Sequence, residues 1–125
     1  MTGTAKTESG TRVPDIAAMR ETANRLLDPD ATPEALPPAA DELERLTGLL
    51  REHLGLLMPQ IEQLTERLPK DSIPRYCALA CTGEARRKLA AAPSPAPGGA
   101  VAHARRLARS LTALVDHYET LAGPR

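Results

Sequence analysis

Three histidines, two cysteines and one glutamate are the side chains in this 125-residue chain whose types and spacing suggest chemistry. Cys77 and Cys81 lie four apart, which stacks both thiols on one face of a helix, and Glu84 and Lys88 continue that face. At about 100° per residue, Ile73, Cys81, Glu84 and Lys88 all fall within about 40° of Cys77. With the cysteines facing a core, an acid and a base are turned inward beside them. His103 and Arg106 follow the edge of a second apolar stripe and His53 the edge of a third, which assembles an expected polar cluster of Glu84, Lys88, His53, His103 and Arg106. A carboxyl enclosed among leucines has a raised pKa, and beside an imidazole it can serve as an acid or base or hold a small polar ligand. A buried ion network that fixes helix register explains the same residues without any reaction.

A metal site is not expected. At ~1.5 Å per residue, Cys77 falls level with about Ala113, roughly 15 Å along the axis from His103. Zinc needs its ligand atoms within about 2.0 to 2.3 Å, and although His117 is nearer in height, no four-ligand set forms. The cysteines then read as small core residues that let two helices approach. No nucleophile elbow, Gly-rich phosphate loop or paired-carboxylate motif is present, so no cofactor and no catalytic residue is expected.

The elements that position these side chains follow from composition. Of 52 apolar residues, 39 are Leu or Ala, Val and Ile together number six, and Phe and Trp are absent. Strands draw on the β-branched and aromatic side chains that are scarce here, which leaves helices. The expected fold is all-α, an antiparallel four-helix bundle with a disordered N-terminal tail over residues 1–12 and one domain over 13–122. The first helix, α1, is expected over about 15–27, from Ile16, Met19, Ala23 and Leu26 behind Val13-Pro14-Asp15. Four prolines between Asp28 and Ala40 make a crossing linker, long enough to hand α1 to a second copy in a homodimer.

Helix α2 is expected from about Asp41, as its cap, through the stripe Leu43, Leu46, Leu50, Leu54, Leu57, Ile61, Leu64 and Leu68, kinked at Pro59 rather than stopped. Helix α3 is expected over about 73–91, with a capping side chain from Asp71-Ser72 and Pro74 in its first turn. The run Ala92 to Gly99, with Pro93, Pro95, Pro97 and Gly98, is expected to be a loop. Helix α4 then carries Ala100, Ala104, Leu107, Leu111, Leu114, Tyr118 and Leu121 until Gly123-Pro124 ends it.

The 16 basic residues balance the 16 acidic ones, so no global field draws the chain to DNA or an anionic membrane. The charges are nevertheless lopsided. Residues 1–70 hold 8 basic and 12 acidic side chains, and residues 71–125 hold 8 basic and 4 acidic. Arg75, Arg86, Arg105 and Arg109 point away from the predicted core faces and form an expected basic patch for an acidic protein partner. Without interleaved aromatic residues or a helix-turn-helix pattern, nucleic-acid binding is the weakest reading. The Thr-, Gly- and Ser-rich start lacks the apolar stretch of a secretory signal, and no window is apolar enough to span a bilayer. With two unpaired cysteines, the expected compartment is the cytoplasm.

The segments Ile73-Pro74-Arg75-Tyr76-Cys77-Ala78-Leu79-Ala80-Cys81-Thr82-Gly83-Glu84-Ala85-Arg86-Arg87-Lys88-Leu89, Ala102-His103-Ala104-Arg105-Arg106-Leu107-Ala108-Arg109 and Asp116-His117-Tyr118-Glu119 resemble a family of small actinobacterial proteins of unknown function. The resemblance covers roughly residues 13–120. It implies a setting in natural-product biosynthesis or its regulation, and it supplies no reaction, cofactor or catalytic residue. The preferred functional expectation is a non-enzymatic helical accessory or interaction protein. The alternative is a small-molecule binding or modifying protein with a pocket between α2, α3 and α4 around Glu84.

Overall fold

The leucine stripe of α2 is the spine of the molecule. In the computed structural model, which describes residues 13–27 and 38–123, α2 spans Ala40–Thr65 and buries Leu43, Leu46, Leu50, Leu54, Leu57, Met58, Ile61 and Thr65. Helix α1 spans Ile16–Leu27, α3 spans Ile73–Ala90 and α4 spans Gly99–Ala122. No strand occurs among the described residues, and the helices pack on one another as an all-α bundle. No described helix is long and apolar enough to cross a membrane.

Helix α4 touches all three others, most extensively α2, while α1 and α3 do not meet. The α2–α4 pair is therefore the centre, with α1 on one side and α3 on the other. Consecutive helices run antiparallel. Arg25 at the end of α1 reaches Glu42 at the start of α2, Arg51 donates to the Leu89 carbonyl at the end of α3, and Arg20 of α1 holds Asp116 and Glu119 at the end of α4. The contact demanded of α4 explains its broad buried face: Gly99, His103, Ala104, Leu107, Ala108, Ser110, Leu111, Leu114 and Val115.

Local chemistry sets the ends. Asp15 accepts the Ala18 amide at 3.1 Å and Ser72 accepts the Arg75 amide at 3.2 Å, each satisfying an otherwise unpaired donor of a first turn. The start of α2 differs from expectation. Ala39 is the cap residue, and Asp41 lies inside the first turn, where its carboxylate accepts the Glu42 amide at 2.9 Å. Its far end also stops three residues early. Thr65, Arg67 and Leu68 turn to i−3 carbonyls ahead of Pro69, which disfavours helical geometry in the residue before it. Pro59, by contrast, lies within the helix. It leaves the Gly55 carbonyl without its usual partner, and both residues are exposed, so water can supply the missing bond.

Glycine is required between α3 and α4. Gly98 has φ +79°, and a Cβ on the buried Gly99 would run into the Ser94 backbone, so the loop closes directly onto the first turn of α4. Ala100, expected in the α4 stripe, is exposed as a result, and Gly99 and His103 take the inner positions. The expected tail (1–12) and all but the last three residues of the linker (28–37) lie outside the described residues, and with them the route by which α1 would pass to a second copy. Within the chain, α1 lays Met19, Ala23 and Leu26 against α4 and α2.

Candidate functional site

Helix α3 presents two faces, and the one turned inward is the less conspicuous. Ala78, Thr82 and Ala85 are buried against the bundle, with Cys81 and Leu89 half-buried at the margin. Ile73, Tyr76, Cys77, Ala80 and Glu84 face away. The side chain of Glu84 is 49 % exposed and is held within its own helix by Arg87 and by Lys88, the latter at 3.0 Å. Hydrogen bonds from those two cations hold the carboxyl below the usual glutamate range, the opposite of the raised pKa expected for an enclosed acid.

The expected cluster therefore does not assemble. The cysteines are not the centre of the buried face: Cys77 is exposed and Cys81 half-buried. Small side chains at 78, 82 and 85 make the buried face of α3, which leaves Cys77 and Glu84 toward solvent. Burial raises the pKa of the Cys81 thiol, with Glu84 adding to it, so that sulfur stays protonated and poorly nucleophilic. Among the described residues, no three His, Cys, Asp or Glu side chains converge as metal ligands.

The histidines separate to two junctions. His103 is only 4 % exposed, and Arg51 bridges it to the Leu89 carbonyl, with bonds of 3.3 and 3.2 Å. A guanidinium can only donate, so His103 Nε2 is the acceptor and the ring carries its proton on Nδ1. Burial, then the charges of Arg51 and Arg106, push its pKa below the ordinary value. Arg106 itself is exposed.

His53 faces α1, 3.3 Å from the hydroxyl of buried Thr22. That hydroxyl donates its single hydrogen to the Ala18 carbonyl at 2.9 Å, so His53 Nε2–H must be the donor to Thr22, leaving Nδ1 free to accept. Burial lowers the His53 pKa, against the pull of Glu52 and Asp15. Arg51 and Thr22 were missed as partners because a single Arg or Thr on a long helix bears no spacing signal. Only the helix-to-helix register identifies them.

The arginines expected to form one basic patch are likewise divided. Arg86 pairs with Glu62 of α2 at 2.7 Å, whereas Arg105 donates to the Leu26 carbonyl at 3.3 Å and closes the end of α1. Since α1 and α3 lie on opposite sides of α4, these two cations do not share a surface. Arg75 is half-buried near the start of α3, and Arg109 is exposed on α4.

What the described surface does offer is apolar. Its exposed large hydrophobic residues are Val13, Leu56, Ile73 and Tyr76, and they fall in two places. Val13 and Leu56 flank a cleft beside His53. Ile73 and Tyr76, 74 % and 73 % exposed, stand with Cys77 and Ala80 on the outer face of α3. Residues 73, 77, 80, 84 and 87 alternate steps of four and three, the spacing of a helix seam that a second helix could join. Arg87 and Lys88, both paired with Glu84, are the cations at that seam, whereas Arg86 is turned toward Glu62 of α2.

Searches of curated proteins and of solved structures find no match to the chain. A family profile matches residues 17–123, which takes in all of α2, α3 and α4 and all but the first residue of α1. The chain belongs to a family of unknown function, DUF6415.

Proposed function

We propose that this protein is a non-enzymatic helical interaction module whose docking surface is the outer face of α3. The observation that supports this reading is the apolar seam Ile73, Tyr76, Cys77 and Ala80, exposed on a helix whose other face already packs in the core. Exposing a tyrosine and an isoleucine together is unfavourable unless a partner covers them, and tyrosine is among the residues that most often dominate an interface. At the seam two cations, Arg87 and Lys88, stand against the single carboxylate Glu84, which favours an amphipathic helix carrying carboxylates along its flank. An acidic partner thus fits α3, rather than a patch shared by α3 and α4. The proposed setting, biosynthesis of natural products or its regulation in the actinobacterial cytoplasm, rests on the resemblance of the 73–89, 102–109 and 116–119 segments.

A photoreactive group on Cys77, compared with one on a cysteine introduced at exposed Gly48 of α2, tests this in the native host. The partner crosslinked from Cys77 is then purified and titrated. Tyr76→Ala is expected to weaken its binding by about 2 kcal/mol, roughly thirty-fold, while leaving the helical content unchanged. Equal crosslinking from both positions, or a partner whose affinity ignores Tyr76, would remove α3 as the docking face.

A further inference from the structure

The cleft beside His53 arises from a mismatch of lengths. Helix α1 has 12 residues and α2 has 26, about 18 Å against 39 Å at 1.5 Å per residue, so α2 runs on past the first turn of α1. The non-helical approach of Val13, Pro14 and Asp15 lies beside that stretch, and between them is a cleft of about 270 Å³. Pro14 and Met19 are buried and, with Leu56, supply apolar walls. Asp15, Glu52, His53 and Gln60 supply the polar groups, and among the described residues no Lys or Arg lines the space.

The electrostatics select the charge of an occupant. The first turn of α1 contributes roughly half a positive charge, and two carboxylates outweigh it. One of them, Asp15, already spends an oxygen on the Ala18 amide. His53 is locked by Thr22 into the tautomer whose Nδ1 accepts. Every side-chain group in the lining with a fixed role, Asp15, Glu52 and the free His53 nitrogen, therefore seeks a donor, which suits an ammonium ion and opposes a carboxylate or phosphate. The volume lies just below that of drug-sized sites, so a single ring on a short chain fills it.

The geometry points to this cleft as a binding site for a small organic amine, its ammonium facing Asp15, Glu52 and His53 and its apolar body against Pro14, Met19 and Leu56. The site is separate from the α3 seam and shares no residue with it.

Phenethylamine titrated into the full chain at neutral pH and followed by backbone amide NMR tests the assignment. Its neutral and anionic isosteres, 2-phenylethanol and 3-phenylpropanoate, serve as comparisons. A ligand this small should bind with a dissociation constant on the order of 1 mM, with shifts confined to residues 13–19 and 52–60. The alcohol should bind at least about ten-fold more weakly and the carboxylate not at all. Glu52→Gln, at an exposed position, should weaken the amine by about ten-fold with the spectrum otherwise intact. Ala18→Leu should abolish binding by filling the space without changing the charge. An alcohol that binds as well as the amine, shifts that map elsewhere, or an amine affinity indifferent to Glu52→Gln would each overturn the site.

Discussion

Helices α2 and α3 pack against the same partner, α4, by opposite means. Helix α2 drives leucines into the core, and Leu50, Leu54 and Leu57 are fully buried along one stripe. Helix α3 fully buries only Ala78, Thr82 and Ala85, with Cys81 and Leu89 half-buried beside them. In the first case the apolar area removed from water fixes the buried face. In the second the small size of the side chains fixes it, and larger apolar residues are left outside. The two helices should consequently fail in opposite directions when their core positions are changed in size.

The largest effect is expected from shortening the spine. Leu54→Ala removes buried methyl groups from the middle of α2 and leaves a cavity among rigid neighbours, which should cost about 2–5 kcal/mol of unfolding free energy in urea. A loss under about 1 kcal/mol would mean that the bundle relaxes into the hole and that the α2–α4 centre is softer than its packing implies. On α3 the sign of the size change reverses. Ala85→Leu inserts a large side chain at a position with no exposed surface and should destabilise by about 1–3 kcal/mol through overpacking. A stabilising Ala85→Leu would show that α3 has room to bury leucine and that its small face is not what holds it close.

This contrast also separates what was legible in the sequence from what was not. The stripe of α2 could be read because leucine at three- and four-residue steps has one economical explanation, and from Leu43 to Ile61 every residue of it is buried, with Met58 added beside Leu57. On α3 the outer set, with Ile73 and Tyr76, is more apolar by type than the inner set of Ala and Thr. A helical wheel ranks faces by hydrophobicity and so selects the wrong one. The signal that could have located the inner face was steric: Ala78, Thr82 and Ala85 repeat at four and three, and counting back from the 91–98 loop puts Ala85 level with about Ala104 of α4, itself small and buried. His53 and His103 were legible as inward-leaning positions, but their partners Thr22 and Arg51 depend on how the helices slide past one another.

A more gradual effect distinguishes the two histidine junctions from the carboxylates. Both rings have folded-state pKa values lowered from 6.5, with burial as the first cause, so the unfolded chain binds protons that the folded chain resists. Stability should be level above about pH 6.5 and fall as the pH drops below it, before ordinary carboxylates begin to titrate near about 4.5. Melting temperatures across this window measure the slope. His103→Asn, which can still accept from Arg51, should flatten part of it. A profile level down to the carboxylate range would mean that water reaches these rings when they charge.

The smallest effect is expected at Glu84, and its smallness discriminates between the two arrangements of α3. A carboxylate enclosed between helices and satisfied by histidines and cations would leave buried charges unpaired on its removal, a severe loss. An exposed one, held by Arg87 and Lys88 of its own helix, gives up contacts that water replaces. Glu84→Leu should therefore leave the urea midpoint within error of the parent. Because leucine extends the outer apolar seam beyond Ala80, the same substitution should also raise the tendency to self-associate at high concentration, read by light scattering. Stability and solubility would then move independently at one position, as they can only where the side chain belongs to a surface rather than to the core. A large drop in the midpoint would instead return Glu84 to the interior and with it the pocket between α2, α3 and α4.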